Sequence, residues 1–314
     1  MRFSTRGFAM QNSASLTEKS AKSEVEPHYR PWRSICHRFL GYRISVAALA
    51  LLTAILFFAF LGPHLWVYAF DLPSDDLSQP PSWAHPFGTD NLGYDQMAMV
   101  MRGTQRSLSI AGLVALISTF IGAVWGATAA YAGGIIDTLM MRFVDLVMLF
   151  PLLAIAGFLS VQAQGAADGW FIVAIVLSLL SWTVLARVVR SVVLSIRTRE
   201  FVIAAQIAGA RPAYIIFRHL LPNTIGPIIV AASVLAATAV LSETALSYLG
   251  FGVQPPDTSL GLLVNQAQGA VTTRPWLFYF PGVFILLIAL CISFVGDGLR
   301  AALDPRQQTG RHMK

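Results

Sequence analysis

Charged side chains are scarce in this sequence. Only 12% of its 314 residues are Asp, Glu, Lys or Arg, while 55% are hydrophobic. Soluble domains carry about 25% charged residues, so this composition excludes a soluble fold for most of the chain. The hydrophobic residues form runs of about 20, the length that crosses a hydrocarbon core. Each run must be helical, because lipid offers the backbone no hydrogen bonds.

Cysteine and lysine are also rare. The two cysteines, Cys36 and Cys291, are far apart and have no metal-ligand neighbours, which excludes a disulfide framework and a cysteine metal site. The three lysines are Lys19, Lys22 and Lys314, and none completes the G-x4-G-K pattern of a phosphate-binding loop. The sequence therefore predicts no ATP site, and work driven by ATP would need a second protein.

Catalytic patterns are missing as well. His64, His85 and His219 are dispersed, and no Ser-His-Asp or metal-ligand spacing connects them. The sequence therefore predicts no catalytic residue and no metal site. A membrane enzyme is the weaker hypothesis, which an activity of the isolated chain on a small substrate would favour.

The hydrophobic runs predict an all-α polytopic membrane protein with six transmembrane helices. They occupy residues 44–61, 108–131, 143–161, 170–186, 225–249 and 276–295. We expect a cytoplasmic N-terminal arm at 1–43, a first transmembrane helix at 44–62, an external segment at 63–104, a five-helix core at 105–306 with a polar loop at 199–223, and a cytoplasmic tail at 307–314.

The basic residues predict the orientation of these helices. Of the 22 lysines and arginines, 19 lie in the segments on one side of the predicted spans, and the other three are Arg102, Arg106 and Arg274. The positive-inside rule therefore puts both termini and the 199–223 loop in the cytoplasm. The net charge of +6 follows from this topology and from contact with the bilayer, so no nucleic-acid partner is expected.

The 199–223 loop is the polar interruption around which the chain is organised. Phe201, Ala204, Ala205 and Ala208 recur at helical spacing and predict a short helix with an apolar face of small residues. Gly209 ends this helix, and the pattern Arg-Pro at 211–212 opens a second one that stops at Leu-Pro-Asn, 221–223. So small a segment either offers its apolar face to another protein or rests on the bilayer surface, and the pattern leaves both open.

A motif in this loop adds a resemblance. The spacing Ala204-Ala205-x3-Gly209-x9-His219-x-Leu221-Pro222 resembles EAA-x3-G-x9-I-x-LP, the cytoplasmic coupling motif of ATP-binding-cassette (ABC) importer permeases. Ile203 stands where that motif has glutamate, and His219 stands where it has an apolar residue. Glu200, one helical turn upstream, is the nearest substitute for the missing carboxylate. We refer to residues 199–223 as the coupling segment.

The sequence HPFGTDNLGYD at 85–95 mixes one histidine with two aspartates, so it has two interpretations. Its spacing fits no closed ligand set, so a structural turn that aims the next helix is favoured over a metal loop. It resembles the HPFGTDxxGRD signature of the dipeptide, oligopeptide and nickel permease family, with Tyr94 in place of arginine. The structural residues of this turn are Gly88, Asp90, Gly93 and Asp95.

Glu243 is the one acid well inside the fifth hydrophobic run. A carboxylate in that position is either on a watery path or satisfied by neighbours such as Ser242, Thr244 or a partner subunit, and both hypotheses stay open. With Ser247 it is our candidate for the translocation path. The stretch from Glu243 to Gly261 resembles the family's E-x-x-LSFLGLG-x-QPP-x-x-SWG segment, with Leu260 at the tryptophan position.

Two further patterns lie at helix ends and entrances. Gly296-Asp297-Gly298 followed by Arg300 resembles the family's GDGLRDALDP ending, and it predicts a helix-end turn with Arg300 near phosphate headgroups. Arg142 and Asp145 are three residues apart at the start of the third run, where a structural ion pair is favoured over a ligand for the substrate. Pro151 predicts a kink in that helix.

These motifs occur in order, and together they resemble the C-type permease subunit of the dipeptide, oligopeptide and nickel ABC importers. The resemblance implies a type I importer permease fold in a bacterial inner membrane, without catalytic activity of its own. It implies a homologous B-type permease, two ATPases or a fused pair that bind ATP and Mg, and an external binding protein as partners. The implied ATPase-coupling residues are Glu200, Ala204, Ala205, Gly209, Arg218, Leu221 and Pro222.

The implied activity is import of di- or oligopeptides by alternating access, with nickel or another small solute as the alternative substrate. A secondary transporter driven by protons or sodium is a further alternative, since Glu243, Asp145 and Asp297 are available as intramembrane carboxylates. Such transporters show internal repeats with interrupted helices in both halves, and we find no repeat here.

Overall fold

The computed structural model describes residues 32–162 and 169–303. These residues form helices and no β-strand; one isolated bridge pairs Thr89 with Asp95. Most of the N-terminal arm predicted at 1–43, the tail at 307–314 and the loop between the third and fourth spans lie outside the described residues.

The described residues begin with three helices and a long irregular segment before the central bundle. The first helices are α1 (Trp32–Leu40), α2 (Arg43–Phe60) and α3 (Gly62–Leu65), and the next is α4 (Gln96–Ala132). The following helices are α5 (Gly134–Leu149), α6 (Leu152–Gln162), α7 (Gly169–Ile196) and α8 (Glu200–Ile207). The remainder comprises α9 (Pro212–Tyr214), a π-helix (Ile215–Leu220), α10 (Leu221–Asn223), α11 (Ile225–Tyr248), α12 (Leu260–Ala267), a 3-10 turn (Gln268–Ala270) and α13 (Trp276–Leu303).

Five of the described helices are long and apolar enough to cross a membrane, namely α2, α4, α7, α11 and α13. They coincide with five of the six predicted spans, although α4, α7 and α13 extend beyond the hydrophobic runs. The bent pair of α5 and α6 is the sixth span if it is counted as one crossing. The all-α polytopic prediction is therefore confirmed.

The third span differs from its prediction. We expected one kinked helix at 143–161, but α5 begins at Gly134, ends at Leu149, and meets α6 at an angle of 77°. Pro151 explains the break, because proline lacks a backbone N–H and forces the residue before it out of the helical region. Phe150 accordingly has an extended backbone, with φ −80° and ψ 131°.

The last span also differs. The turn predicted at Gly296-Asp297-Gly298 is wrong, because α13 continues through these residues to Leu303. The two glycines serve close packing: a Cβ on Gly298 would meet the Ser45 side chain of α2, and a Cβ on Gly296 would lie 2.7 Å from Ser233 Cβ of α11.

Pro281 lies inside α13, where its ring removes the donor for the carbonyl of Leu277 four residues earlier. Gln96 at the start of α4 fills that gap, since its Nε2 donates to Leu277 O at 3.2 Å. This bond joins the first turns of α4 and α13, which explains how the helix accommodates a proline.

The bundle has two ends, which we call the α8 end and the α12 end after the short helices found there. Helix α4 runs parallel to α7 through the centre, and their contact is the most extensive in the described chain. One large buried cluster joins α4, α7, α11, α12 and α13 towards the α12 end. A second cluster joins α4, α7, the coupling segment and α11 at the α8 end.

Candidate functional site

The coupling segment is anchored by three buried side chains. Val202 of α8 and Ile215 and Leu220 of the π-helix are fully buried. They pack in one cluster with alanines of α4 and with Leu185, Val189 and Val193 of α7. A movement of this segment would therefore be transmitted directly to α4 and α7.

Gly209 shapes the end of α8. Its φ of +76° is in the left-handed region that favours glycine, although a Cβ there would meet no atom within 4 Å. Gly209 N donates to Gln206 O at 2.9 Å, and Ala210 N donates to Ala205 O at 3.0 Å. This pair of bonds is a Schellman cap, so the glycine of the motif is required by the backbone conformation.

The opposite face of the coupling segment is apolar and uncovered. Ile207 is 83% exposed, and the other large exposed apolar side chains are Phe201, Ile203, Tyr214 and Phe217. Ala204, Glu200, Arg218 and Pro222 are exposed beside them, whereas Ala205 and Leu221 are half-buried against the bundle. The predicted coupling residues therefore divide into an outer surface and an inner support.

Ile203 and His219, the two residues that depart from the coupling motif, lie in different environments. His219 packs between aromatic rings, with centroids 5.5 Å from Tyr214 and 6.4 Å from Phe201, so an imidazole occupies the usual apolar position. Ile203 is exposed on the outer surface, and Glu200 is exposed in the first turn of α8. A carboxylate there interacts favourably with the helix dipole.

The second predicted helix of the coupling segment runs from Pro212 to Asn223, as expected, but its centre is a π-helix. Leu221 N bonds to Ile216 O, five residues earlier. The wider π turn leads into Pro222, which has no N–H to continue the regular pattern. π-helical turns are frequent at functional sites.

Glu243 is fully buried near the α12 end of α11. Its Oε2 accepts a hydrogen bond from Ser107 Oγ of α4 at 2.8 Å, and its Oε1 accepts one from Ser247 Oγ at 2.7 Å. Ser259, which caps the N-terminus of α12, is a third hydroxyl neighbour. The carboxylate therefore links α4, α11 and α12.

The serines around Glu243 also bind backbone. Leu260 N donates to Ser107 Oγ at 3.4 Å, and Val253 N donates to Ser247 Oγ at 3.3 Å. A Cβ on Gly261 would lie 2.6 Å from Thr244 O, so the first turn of α12 packs closely against α11. These contacts hold the segment before α12 in place against α4 and α11. A role for Glu243 and Ser247 on the translocation path stays a prediction.

The sequence at 85–95 forms a compact turn at the start of α4. Asp95 Oδ1 accepts from Ala98 N at 2.8 Å, which caps the helix, and from Trp66 Nε1 at 3.0 Å. The imidazole of His85 lies 2.7 Å from Asp95 Oδ2 and 3.3 Å from Asp76 Oδ2. Within the described residues no group of three or more His, Cys, Asp or Glu side chains could hold a metal ion.

The remaining residues of this turn set its backbone. Asp90 Oδ1 accepts from Leu92 N at 2.8 Å and from Tyr94 N at 2.9 Å. Gly88 and Gly93 have φ of +76° and +88°. A Cβ on Gly88 would also lie 2.7 Å from Trp276 Nε1, so this turn packs against the start of α13.

Several ion pairs were missed by the sequence analysis. Arg190 of α7, which we treated only as an orientation signal, binds Asp137 of α5 in a bidentate pair at 2.6 and 2.7 Å. At the α12 end, Arg102 and Arg106 share Asp257, at 2.8 and 2.5 Å. The available signal was the presence of these acids and arginines beyond the ends of neighbouring apolar runs.

The predicted pair at the start of the third span is looser than expected. Arg142 Nη1 is 3.9 Å from Asp145 Oδ2, whereas Arg187 of α7 approaches Asp145 Oδ1 at 2.6 Å. Asp297 and Arg300 both lie exposed on the last turns of α13.

The fold and these sites define a class of protein: a polytopic helical permease with an anchored coupling segment and a loop fastened by a buried carboxylate. The chain belongs to the family described as binding-protein-dependent transport system inner membrane component, whose model matches residues 118–309. A second model, for the N-terminal TM domain of oligopeptide transport permease C, matches residues 30–81. The chain is therefore an ABC transporter permease of the bacterial inner membrane, and the resemblance found in the sequence is confirmed.

Curated relatives agree with this family. The oligopeptide transport system permease protein OppC of Mycobacterium tuberculosis is 40% identical over 278 residues, covering 88% of this chain and 95% of the relative. A putative peptide permease of Brucella suis is 40% identical over 282 residues, covering 88% and 92%. OppC of Bacillus subtilis is 33% identical over 276 residues, covering 88% and 90%.

A solved structure supports the fold. The inward-facing MetNI methionine ABC transporter contains a chain that matches with a TM-score of 0.56 and 19% identity, covering 67% of this chain and 98% of that chain. At that identity the likeness concerns the fold alone, and it confirms the predicted type I permease fold.

Proposed function

We propose that this chain is the C-type permease subunit of an ATP-driven importer that passes peptides from an external binding protein into the cytoplasm. The relatives named as oligopeptide or peptide permeases support the substrate class. The excess of arginine around the α8 end supports an orientation with that end and both termini in the cytoplasm. The α12 end then faces the binding protein.

The outer surface of the coupling segment is the observation that carries the proposal. Five large apolar side chains are exposed there on a segment whose inner face is buried in the bundle. Large exposed apolar side chains grouped on one short segment favour a protein interaction site. Two ATPase subunits, or a fused pair, bind ATP and Mg and dock on this surface and on the matching one of a homologous B-type permease.

The anchoring of the coupling segment supports a mechanism of alternating access. Closure of the ATPases on ATP moves the coupling segment, and Val202, Ile215 and Leu220 pass that movement to α4 and α7 because they share one packed cluster. The helices then reorient so that peptide leaves towards the cytoplasm. This chain contributes no catalytic group and binds no nucleotide itself.

The test is a substitution on the outer surface. Ala204→Arg puts a long charged side chain on an exposed position without touching the core, whereas Ala205 is half-buried and Gly209 needs its left-handed backbone. In the reconstituted complex we expect Ala204→Arg to reduce ATP-dependent peptide uptake at least about tenfold while the chain still inserts, since charges are unfavourable in an apolar interface.

Two controls make the result specific. The first is Arg274→Gln, which changes a half-buried charged residue at the α12 end, remote from the coupling segment, and should leave uptake unchanged. Normal uptake by Ala204→Arg would contradict docking on this surface. Uptake by vesicles that hold the chain without any ATPase would favour the secondary transporter instead.

A further inference from the structure

A charged cluster with unequal numbers of positive and negative groups lies where α5 packs against α7. Arg187 and Arg142 both approach Asp145, at 2.6 and 3.9 Å. The three side chains are open, with 48%, 77% and 45% of their surface exposed in that order. Two guanidinium groups therefore share one carboxylate, and Arg142, at the longer distance, keeps donors available for another anion.

Helix lengths put this cluster at membrane depth. A helix rises about 1.5 Å per residue, so the stretch from Asp145 to Gln162 covers roughly 26 Å even without its bend. The stretch from Gly169 to Arg187 covers roughly 27 Å by the same rise. Both values are below the thickness of a hydrocarbon core, about 30 Å. With Gln162 and Gly169 at one edge of the core, each helix places its paired charge inside the core, near the opposite edge.

The same face of α5 ends in broken backbone. Arg142, Asp145 and Leu149 are three and four residues apart and share one side of the helix, where Arg142 and Leu149 are exposed and Asp145 is half-buried. This stripe leads to Phe150 and Pro151, which are exposed at the 77° break. A broken helix leaves backbone groups without intrahelical partners, and at membrane depth this is tolerated only inside protein or along a water-filled cavity.

We infer that this face of α5, from Arg142 to the break at Pro151, lines the water-filled inner part of the translocation path, and that Arg142 binds a carboxylate of the passing peptide. The inference rests on the proposed importer function. Every peptide with an unmodified C-terminus carries such a carboxylate, and the planar guanidinium group binds carboxylates with two parallel hydrogen bonds. Asp145 pairs with Arg187, so the net charge of Arg142, Asp145 and Arg187 together is +1.

The lipid-facing alternative is unfavourable. Asp145 has too short a side chain to reach the headgroups, whereas an arginine can extend towards them. A hydrocarbon environment would also leave the carbonyls at the α5–α6 break without partners. Contact with the homologous permease would satisfy these groups as well, and the experiments below distinguish it from a path.

The first experiment measures water access and needs no substrate. Both native cysteines are first removed by Cys36→Ser and Cys291→Ala. Leu149→Cys in this background is then compared with Leu116→Cys. Leu116 is the control because it lies with Phe120 on an exposed apolar face of α4. The assembled complex in vesicles is treated with a membrane-impermeant thiol reagent. We expect rapid modification at position 149 and slow modification at position 116. Equally slow modification at both positions would overturn the water-filled path.

The second experiment measures carboxylate recognition. Uptake of a tripeptide is compared with uptake of its C-terminal amide, in the wild-type complex and in Arg142→Gln. We expect Arg142→Gln to raise the apparent KM for the free-acid peptide about tenfold, the loss of one charge-assisted hydrogen bond, and to leave the amide unchanged. Arg274→Gln at the α12 end is the control and should leave both peptides unchanged.

The outcomes separate the two hypotheses. Equal effects on both peptides, or no effect on either, would overturn carboxylate binding while ATP-dependent uptake by the wild type still supports the importer. If Arg142→Gln prevents copurification of the second permease, the face is a subunit contact and the inference is wrong. If the wild-type complex imports neither peptide, the proposed peptide substrate is wrong. The thiol experiment still decides whether this face of α5 is accessible to water.

Discussion

At the scale of single residues, Glu243 shows how one buried side chain fastens several parts of the chain. Its two oxygens accept hydrogen bonds from Ser107 of α4 and Ser247 of α11. Ser107 also accepts from the first backbone N–H of α12, and Ser247 accepts from Val253 N in the loop before that helix. Removal of the carboxylate leaves two buried hydroxyl groups without acceptors. The loop between α11 and α12 should then be the first part to loosen.

We expect Glu243→Ala to lower the stability of the purified transporter by about 1–3 kcal/mol for each buried hydroxyl left unsatisfied, and to expose the loop at 249–259 to protease. Thermal unfolding in mild detergent and limited proteolysis measure both effects. Glu243→Gln is the matched control, because its amide oxygen retains an acceptor. A stable alanine variant with altered peptide selectivity would instead support the path hypothesis for Glu243 and Ser247.

At the scale of helices, the contact between α4 and α7 depends on the absence of side chains. A Cβ on Gly122 would lie 2.7 Å from Trp182 O, and a Cβ on Gly126 would press on Ala186 O. The small residues at 122 and 126 allow close approach of another helix, and α7 is that helix. The backbone cannot yield at these points without moving the whole helix.

Gly126→Ala should therefore destabilise the bundle by about 1–3 kcal/mol, the usual cost of overpacking. Gly112→Ala on the same helix is the matched control, because a Cβ there meets nothing within 4 Å. The comparison is made by thermal unfolding of both purified variants. Equal stability would mean that α4 and α7 do not approach as closely as described.

Two elements show why helix breaks are only partly predictable. The sequence pattern correctly indicates that Pro151 disturbs the third span, but the size of the bend depends on what packs around α5 and α6. The glycines at 296 and 298 predicted a helix end, yet they continue the helix because Ser45 and Ser233 lie against them. A glycine that permits a turn and a glycine that admits a neighbour look alike in a sequence.

At the scale of the whole molecule, orientation is the proposal with the widest consequences. If the α8 end is cytoplasmic, the coupling segment faces the ATPases and the α12 end faces the binding protein. An inverted chain would expose the uncovered apolar surface to the wrong compartment. The native cysteines permit a direct test, because Cys36 is exposed and Cys291 is buried.

We expect a membrane-impermeant thiol reagent to label the unmodified chain in inside-out vesicles and to leave it unlabelled in right-side-out vesicles, since Cys36 then lies in the cytoplasm. Cys36→Ser should remove the signal and serves as the control. Labelling from the external side would reverse the orientation and contradict the proposed direction of transport.

The sequence by itself determined the class of this protein. Hydrophobic runs of membrane length require helices, and the motifs at 85–95, 204–222, 243–261 and 296–306 identified the family. Each of those features lies within one stretch of sequence, so it can be recognised without the fold. The tertiary structure alone decided which polar groups meet: Glu243 with Ser107, Asp137 with Arg190, and Asp145 with Arg187. Such partners lie on different helices, and only the packing of α4, α5, α7 and α11 brings them within hydrogen-bonding distance.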